Sequence, residues 1–311
     1  MKSLRIVYMG TPDFAVPALE RLIASAHEVA AVVTVADKPS GRGLQLTESP
    51  VKKCALAHGI PVLQPEKLKS NDFIEALSAL QADLFVVVAF RMLPQVVWDM
   101  PPLGTINLHG SLLPKYRGAA PINRAIMNGE TETGVTVFQL QQEIDTGRVF
   151  VRTPLSIGPN ENATNVHDRM MVLGADVLLG AVNDIANGTL ESVEQASLSV
   201  DEDLPTAPKL FKEDCVIPFH LSAAQVHHHV RGLSQYPAAI TTLEGKQIKI
   251  FSGFPLSTGK QQTGFETDAK TYLRFGCADG WYEVTDVQLE GKKRLSIEEF
   301  LRGHRFKSTA S

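Results

Sequence analysis

Three side chains in this sequence have the types and spacing of an acyl-transfer site: Asn107, His109 and Asp145. Asn107 and His109 are two residues apart at the end of Thr105-Ile106-Asn107-Leu108, a run that reads as a strand, so both point to one side of the sheet. They fall at the strand's C-terminal end, where open α/β sheets bind ligands. Asp145 follows a second strand-like run, Thr133-Gly134-Val135-Thr136-Val137, in the loop Glu143-Ile144-Asp145-Thr146-Gly147. No serine or cysteine accompanies the three as a nucleophile, which points to direct acyl transfer onto an external amine. As the carbonyl carbon becomes tetrahedral, its oxygen gathers negative charge. The Asn107 amide and the His109 imidazole suit that oxygen, at about 3–4 kcal/mol per well-placed donor. Asp145 is suited to hold His109 in its productive tautomer, or to relay the amine proton through a water. A single histidine or aspartate is more often structural, and Asn107 alone would serve to cap a turn. The pair at a strand end, followed by a Leu-Leu-Pro turn and a distant Asp-Thr-Gly, outweighs that plain reading.

The elements that must hold these residues are legible on either side. Leu4 to Met9 reads as a buried strand that ends at Gly10-Thr11-Pro12, and Phe14 to Ser25 has apolar residues at helical spacing. Val29 to Val35 is a second strand, Lys53 to His58 a helix, Ile60 to Leu63 a short strand and Asn71 to Leu80 another helix. Leu84-Phe85-Val86-Val87-Val88 is an unbroken apolar run, as expected of a central parallel strand covered on both faces. Such alternation implies βαβ units in an α/β fold with a doubly wound, mostly parallel, Rossmann-like sheet. Gly10 opens a tight turn, but Pro12 stands where a dinucleotide-binding loop has its second glycine, so NAD is not expected. After a helical stretch from Asn165 to Ile185, residues 186–208 turn polar, with Asn187-Gly188, Asp201-Glu202-Asp203, Pro205 and Pro208. Short alternating strands with glycine-containing turns follow, which predict a smaller C-terminal β-barrel, OB-like. The expected division is a catalytic domain over 1–189, a linker over 190–208 and the barrel domain over 209–311.

The N-terminus shows no signal-peptide pattern and no apolar run approaches the roughly 20 residues needed to span a bilayer. Cys54, Cys215 and Cys277 form an odd, widely spaced set that favours free thiols, so a cytoplasmic protein is expected, and a monomer. The net charge of −4 argues against nucleic acid, but its distribution does not. Residues 1–208 carry 16 Lys/Arg against 23 Asp/Glu, while residues 209–311 carry 14 against 11, a mildly basic back half compatible with RNA. Lys292-Lys293-Arg294 is suited to neutralise phosphates, and Arg42 sits between two glycines in a loop free to order on binding. His227-His228-His229 resembles a metal cluster only superficially. Consecutive helical residues point about 100° apart, so no metal is expected.

The sequence Asn107-Leu108-His109-Gly110-Ser111-Leu112-Leu113-Pro114, with its later Asp145-Thr146-Gly147, resembles the folate-dependent formyltransferases. The resemblance implies 10-formyl-tetrahydrofolate as formyl donor, Asn107, His109 and Asp145 as the catalytic trio, and Ser111, Leu112, Leu113 and Pro114 as the folate-binding turn. It also implies that main-chain groups of Phe85 to Leu93 line the pterin pocket. Within the family, three features resemble the members whose acceptor is the methionine amine of initiator methionyl-tRNA. These are Gly10-Thr11-Pro12-Asp13-Phe14-Ala15-Val16-Pro17, the insertion Asp37-Lys38-Pro39-Ser40-Gly41-Arg42-Gly43, and the barrel segments Arg231-Gly232-Leu233 and Gly291-Lys292-Lys293-Arg294. By that resemblance Arg42, Lys292, Lys293 and Arg294 contact tRNA. The chain departs from the family at Leu44-Gln45, where a pair of lysines is common, at Glu143, and at Ile217-Pro218-Phe219. The rival expectations are a sugar-nucleotide amine as acceptor, and a non-catalytic RNA- or folate-binding module.

Overall fold

A computed structural model describes residues 2–40, 45–199 and 203–306. By contacts the chain forms two compact units that interleave along the sequence: Met1–Gly118, Thr133–Leu155 and His167–Thr206 in one, Ala119–Glu132, Ser156–Val166 and Ala207–Ser311 in the other.

The first unit is built on a seven-stranded sheet. Its elements are β1 (Arg5–Gly10), α1 (Val16–Ile23), β2 (Glu28–Val33), the hairpin β3 (Lys38–Ser40) and β4 (Gln45–Thr47), α2 (Pro50–Ala57), β5 (Val62–Leu63), α3 (Asn71–Ala79), β6 (Leu84–Val88), α4 (Gln95–Trp98) and β7 (Thr105–His109). After α5 (Pro121–Met127), which lies in the second unit, come β8 (Glu132–Gln139), β9 (Val149–Ser156) and α6 (Ala163–Asn187). The strand order is β5-β2-β1-β6-β7-β8-β9, parallel from β5 to β7 and antiparallel between β7 and β8. This is the mostly parallel, Rossmann-like sheet expected from the strand–helix alternation. All five residues of β6 are buried, as its unbroken apolar run requires of a central strand.

Local chemistry sets the element boundaries. Pro17 lies in the first turn of α1, where its missing N–H would have no partner in any case. Ser49 caps α2 by accepting the Lys52 N–H, and its hydroxyl also meets that of Thr34 at 2.8 Å. α6 is long and apolar enough to cross a membrane by length and composition alone. Its apolar side, however, is spent on the core: Val166, Met170, Leu178 and Val182 recur at helical spacing and are fully buried. At Gly174 a Cβ would lie 2.9 Å from the Leu108 side chain, so glycine lets this helix press onto the strand that carries Asn107 and His109.

The second unit joins α7 (Ala223–Leu233) to an antiparallel sheet of β10 (Ala239–Leu243), β11 (Lys246–Ser257), β12 (Phe265–Thr267), β13 (Leu273–Cys277), β14 (Gly280–Leu289) and β15 (Leu295–Ser296), followed by α8 (Ile297–Gly303). The order β10-β11-β14-β13-β12, with β15 on β14, makes a curled half-barrel. Breaks in register between Ile250 and Gly253 let the long β11 bend. Ser222 and Gln225 form a capping box at the start of α7, and Ser296 and Glu299 form one at the start of α8. Val226, Val230 and Leu233 of α7 share one core with Ile248, Ile250, Tyr282 and Val287 of the sheet.

Candidate active site

β7 is flanked by β6, with Val87 beside Asn107, and by β8, with Phe138 and Thr136 beside Asn107 and His109. Strand alternation places the two polar side chains on one face. The Asn107 Oδ1 is buried and has no hydrogen-bond partner among the described residues. Leaving such an atom unpaired costs about 1–3 kcal/mol, so the position is destabilising unless something outside the described residues answers it. His109 is 7% exposed, with its ring edge-on to Phe138 at 6.5 Å.

The hydrogen bonds of His109 fix its protonation pattern. Its Nε2 lies 2.9 Å from the Tyr116 carbonyl, which only accepts, so Nε2 carries the hydrogen in the neutral ring. Nδ1 then faces the Asp145 Oδ2 at 3.7 Å, an ion-pair distance if the ring is protonated but too long for a hydrogen bond. The tautomer expected from Asp145 is therefore set by main chain at Tyr116. Asp145 Oδ2 accepts instead from the Gly118 N–H at 2.9 Å.

Two loops hold this geometry. The turn after β7 is cross-linked by Thr136, whose buried hydroxyl donates to the Ser111 carbonyl (2.6 Å) and accepts the Leu113 N–H (3.1 Å). Ser111 spends its own hydroxyl on the Lys115 carbonyl at 2.7 Å, and Leu113 is buried against Phe138 and Val149. Of the expected folate-binding turn, Ser111, Leu113 and Pro114 are thus turned inward, and only Leu112 keeps partial exposure. The second loop carries Asp145 at φ 53°, and Tyr116 (60°) and Ala89 just past β6 (47°) share that left-handed conformation. Strain of about 1–3 kcal/mol at each such residue gathers at functional sites. Gln195, 3% exposed, donates from Nε2 to the carbonyls of Asp145 and Gly147, both at 2.8 Å. Its Oε1 accepts from Arg117 Nε (3.0 Å) and Nη2 (2.6 Å). Composition reads Gln195 as linker, and the main-chain groups of Tyr116 and Gly118 leave no side-chain signal at all.

The other expected residues lie elsewhere. Arg42 falls in 41–44, outside the described residues. Lys292 and Lys293 are exposed on the turn before β15. Arg294 is engaged locally: its guanidinium pairs with Asp286, which raises its pKa, bonds the Gln235 Oε1 at 3.0 Å and stacks over Phe251 at 4.2 Å. His227, His228 and His229 reach three different neighbours: Tyr282, the crowded Gly129, and the backbone of Cys215.

The first unit thus carries an Asn–His pair at the end of β7, with a carboxylate facing the histidine, on a Rossmann-like sheet. Residues 4–182 match the formyl transferase family and residues 209–305 its C-terminal domain; the chain belongs to that family. It is 48% identical over 315 residues to the methionyl-tRNA formyltransferase of Bacteroides thetaiotaomicron, covering 98% of this chain and 97% of that one. It is 43% identical over 307 residues to the methionyl-tRNA formyltransferase of Geobacter metallireducens, covering 98% and 97%. In fold it is similar to an N-formyltransferase of Helicobacter canadensis solved with folinic acid and dTDP-3-aminofucose. That likeness has a TM-score of 0.66 at 19% identity over 94% of this chain and 100% of the other.

Proposed function

We propose that the chain moves the formyl group of 10-formyl-tetrahydrofolate onto the amino group of methionine on initiator methionyl-tRNA. In this reading residues 1–189 do the chemistry, 209–311 engage the tRNA through Lys292, Lys293 and Arg294, and the enzyme works as a cytoplasmic monomer. The observation that carries it is the placement of Asn107 and His109 on one face of β7, with the His109 Nδ1 facing Asp145. The buried Asn107 Oδ1, unpartnered among the described residues, is left to accept an N–H from the incoming amine. The full-length kinship to methionyl-tRNA formyltransferases supports the acceptor.

The folate supplies an electrophilic formyl carbon whose oxygen gathers charge as the amine adds. The Nδ2 of Asn107 and the Nδ1 of His109, on one face of β7, donate to that oxygen, while the Asn107 Oδ1 accepts from the attacking amine. His109 can donate from Nδ1 only when its ring is protonated, because the Nε2 hydrogen is committed to Tyr116. The Asp145 carboxylate lies at ion-pair distance from Nδ1, 3.7 Å. The amine must also shed a proton, which the Asp145 carboxylate accepts directly or through a water. Collapse of the tetrahedral adduct then breaks the bond between the formyl carbon and the folate nitrogen, which takes up a proton as tetrahydrofolate leaves. Ser111 to Pro114 and the main chain of Phe85 to Leu93 hold the folate by shape and backbone groups.

Offering 10-formyl-tetrahydrofolate with charged initiator tRNA, charged elongator methionine tRNA, or an amino-sugar nucleotide tests the reading. Formylation of the initiator species above the other two is expected. Formylation of the sugar nucleotide alone would replace the acceptor, and no transfer to any amine would remove the catalytic reading.

A further inference from the structure

Gln195 lies in a stretch whose composition promises only a connector, yet its carboxamide is saturated. It donates both Nε2 hydrogens, to the carbonyls of Asp145 and Gly147, and accepts twice at Oε1 from Arg117. Arg117 stands between Tyr116, whose carbonyl holds His109, and Gly118, whose N–H holds Asp145. One buried side chain therefore ties the carboxylate loop to the turn that orients the histidine.

The segment bearing Gln195 is itself fastened at both ends. Val193 and Val149 exchange main-chain bonds at 2.8 and 2.9 Å, and Arg148 Nε donates to the Ser192 hydroxyl at 2.7 Å. Leu198 packs on the Leu113–Phe138–Val149 cluster beneath the turn, and Pro205 accepts the Tyr116 N–H at 2.6 Å. A side chain needed only to fill space here would be apolar. A saturated amide fixes a distance.

We propose that Gln195 is a positioning residue for the catalytic trio: it clamps the 145–147 loop to the 116–118 turn and so sets the Asp145–His109 separation. The inference rests on the formyl-transfer reading for its kinetic consequence but not for its geometry. Gln195→Met keeps length and neutrality while removing every hydrogen bond. Gln195→Glu keeps the shape and the contact with Arg117, but cannot donate to the two carbonyls.

The test uses the full chain. Formyl transfer to charged initiator tRNA should show kcat down about 10–100-fold in both variants, the scale of a misplacement near 1 Å, with KM values within about threefold of wild type. In Gln195→Met the Gly118 N–H, which donates to Asp145 Oδ2, should exchange with solvent faster when followed by NMR with no substrate present, because the carboxylate loop is free to drift from the turn. Circular dichroism and melting establish that Gln195→Glu is folded. Unchanged exchange at Gly118 with unchanged kcat would overturn the clamp, as would a fall in activity that only tracks lost folded protein. Should the wild type transfer no formyl group, the functional reading fails while the Gly118 exchange rate still decides the positioning role.

Discussion

On the proposed function, Asn107 pulls folding and activity in opposite directions. Its buried oxygen lacks a partner among the described residues, and replacing such an atom with an apolar group of similar shape removes a penalty of about 1–3 kcal/mol. Asn107→Leu should therefore melt at the wild-type temperature or about 2–4 °C above it, measured by calorimetry, while formyl transfer falls about 10²–10³-fold. A lower melting temperature would mean that the amide is structurally satisfied and not reserved for a substrate. His109→Ala should lower kcat on the same scale with KM for tRNA little moved, and near-normal turnover would dismiss the trio. The trio was legible because its members are side chains with a fixed spacing. What completes it was not: the Tyr116 carbonyl and the Gly118 N–H exist in every residue, and only the fold brings them to His109 and Asp145.

Among the elements, β7 and the two loops beyond it must keep register to within fractions of an ångström, and close approaches do this. Gly147 leaves no room for a side chain: a Cβ there would stand 1.6 Å from the Gln139 carbonyl at the end of β8. Gly147→Ala should cost about 3 kcal/mol or more, at the upper end of overpacking, and displace Asp145 with it. Chemical denaturation and kcat measured on one preparation should fall together, whereas a stable, active variant would show the loop to be compliant. The Thr136 hydroxyl makes a subtler link, since it joins β8 to the turn through both the Ser111 carbonyl and the Leu113 N–H. Thr136→Val keeps the volume and removes both bonds, so KM for the folate should rise about 3–10-fold as the turn loosens, at a stability cost near 1–2 kcal/mol. An unmoved folate KM would separate that turn from the folate. Most of these elements were legible from apolar runs and periodicity, β6 to the residue, because a fully buried strand needs every position apolar. The segment from Ser192 to Leu198 was not, since its few contacts run through polar atoms and one lone glutamine, which composition scores as loop.

Over the whole molecule, charge and proton binding separate what the two parts of the chain do. α7 carries His227, His228 and His229, and burial, ahead of every other cause, lowers the pKa of each below the ordinary 6.5. Arg231 beside the first two, and Arg124 beside the third, push the same way, while Asp214 opposes at His229. The folded chain thus binds fewer protons than the unfolded chain, so the stability present above pH 6.5 drains away as the pH falls through that value. Denaturant midpoints should be flat above neutrality and decline below about pH 6.5, and His229→Phe should flatten part of the decline; an unchanged slope would mean that His229 is already protonated in the fold. Salt reads the acceptor side. The excess acid lies in residues 1–208, and Arg294 is already answered by Asp286, which leaves Lys292 and Lys293 as the exposed cations of their turn. If these lysines meet phosphates, KM for charged tRNA should rise with ionic strength. Changing both to glutamine should lower the slope of log KM against log salt by up to about one per lysine, with kcat and folate KM unmoved. An unaltered slope in the double variant would move the tRNA contact off this turn and leave the catalytic assignment intact, since no step at Asn107, His109 or Asp145 depends on it.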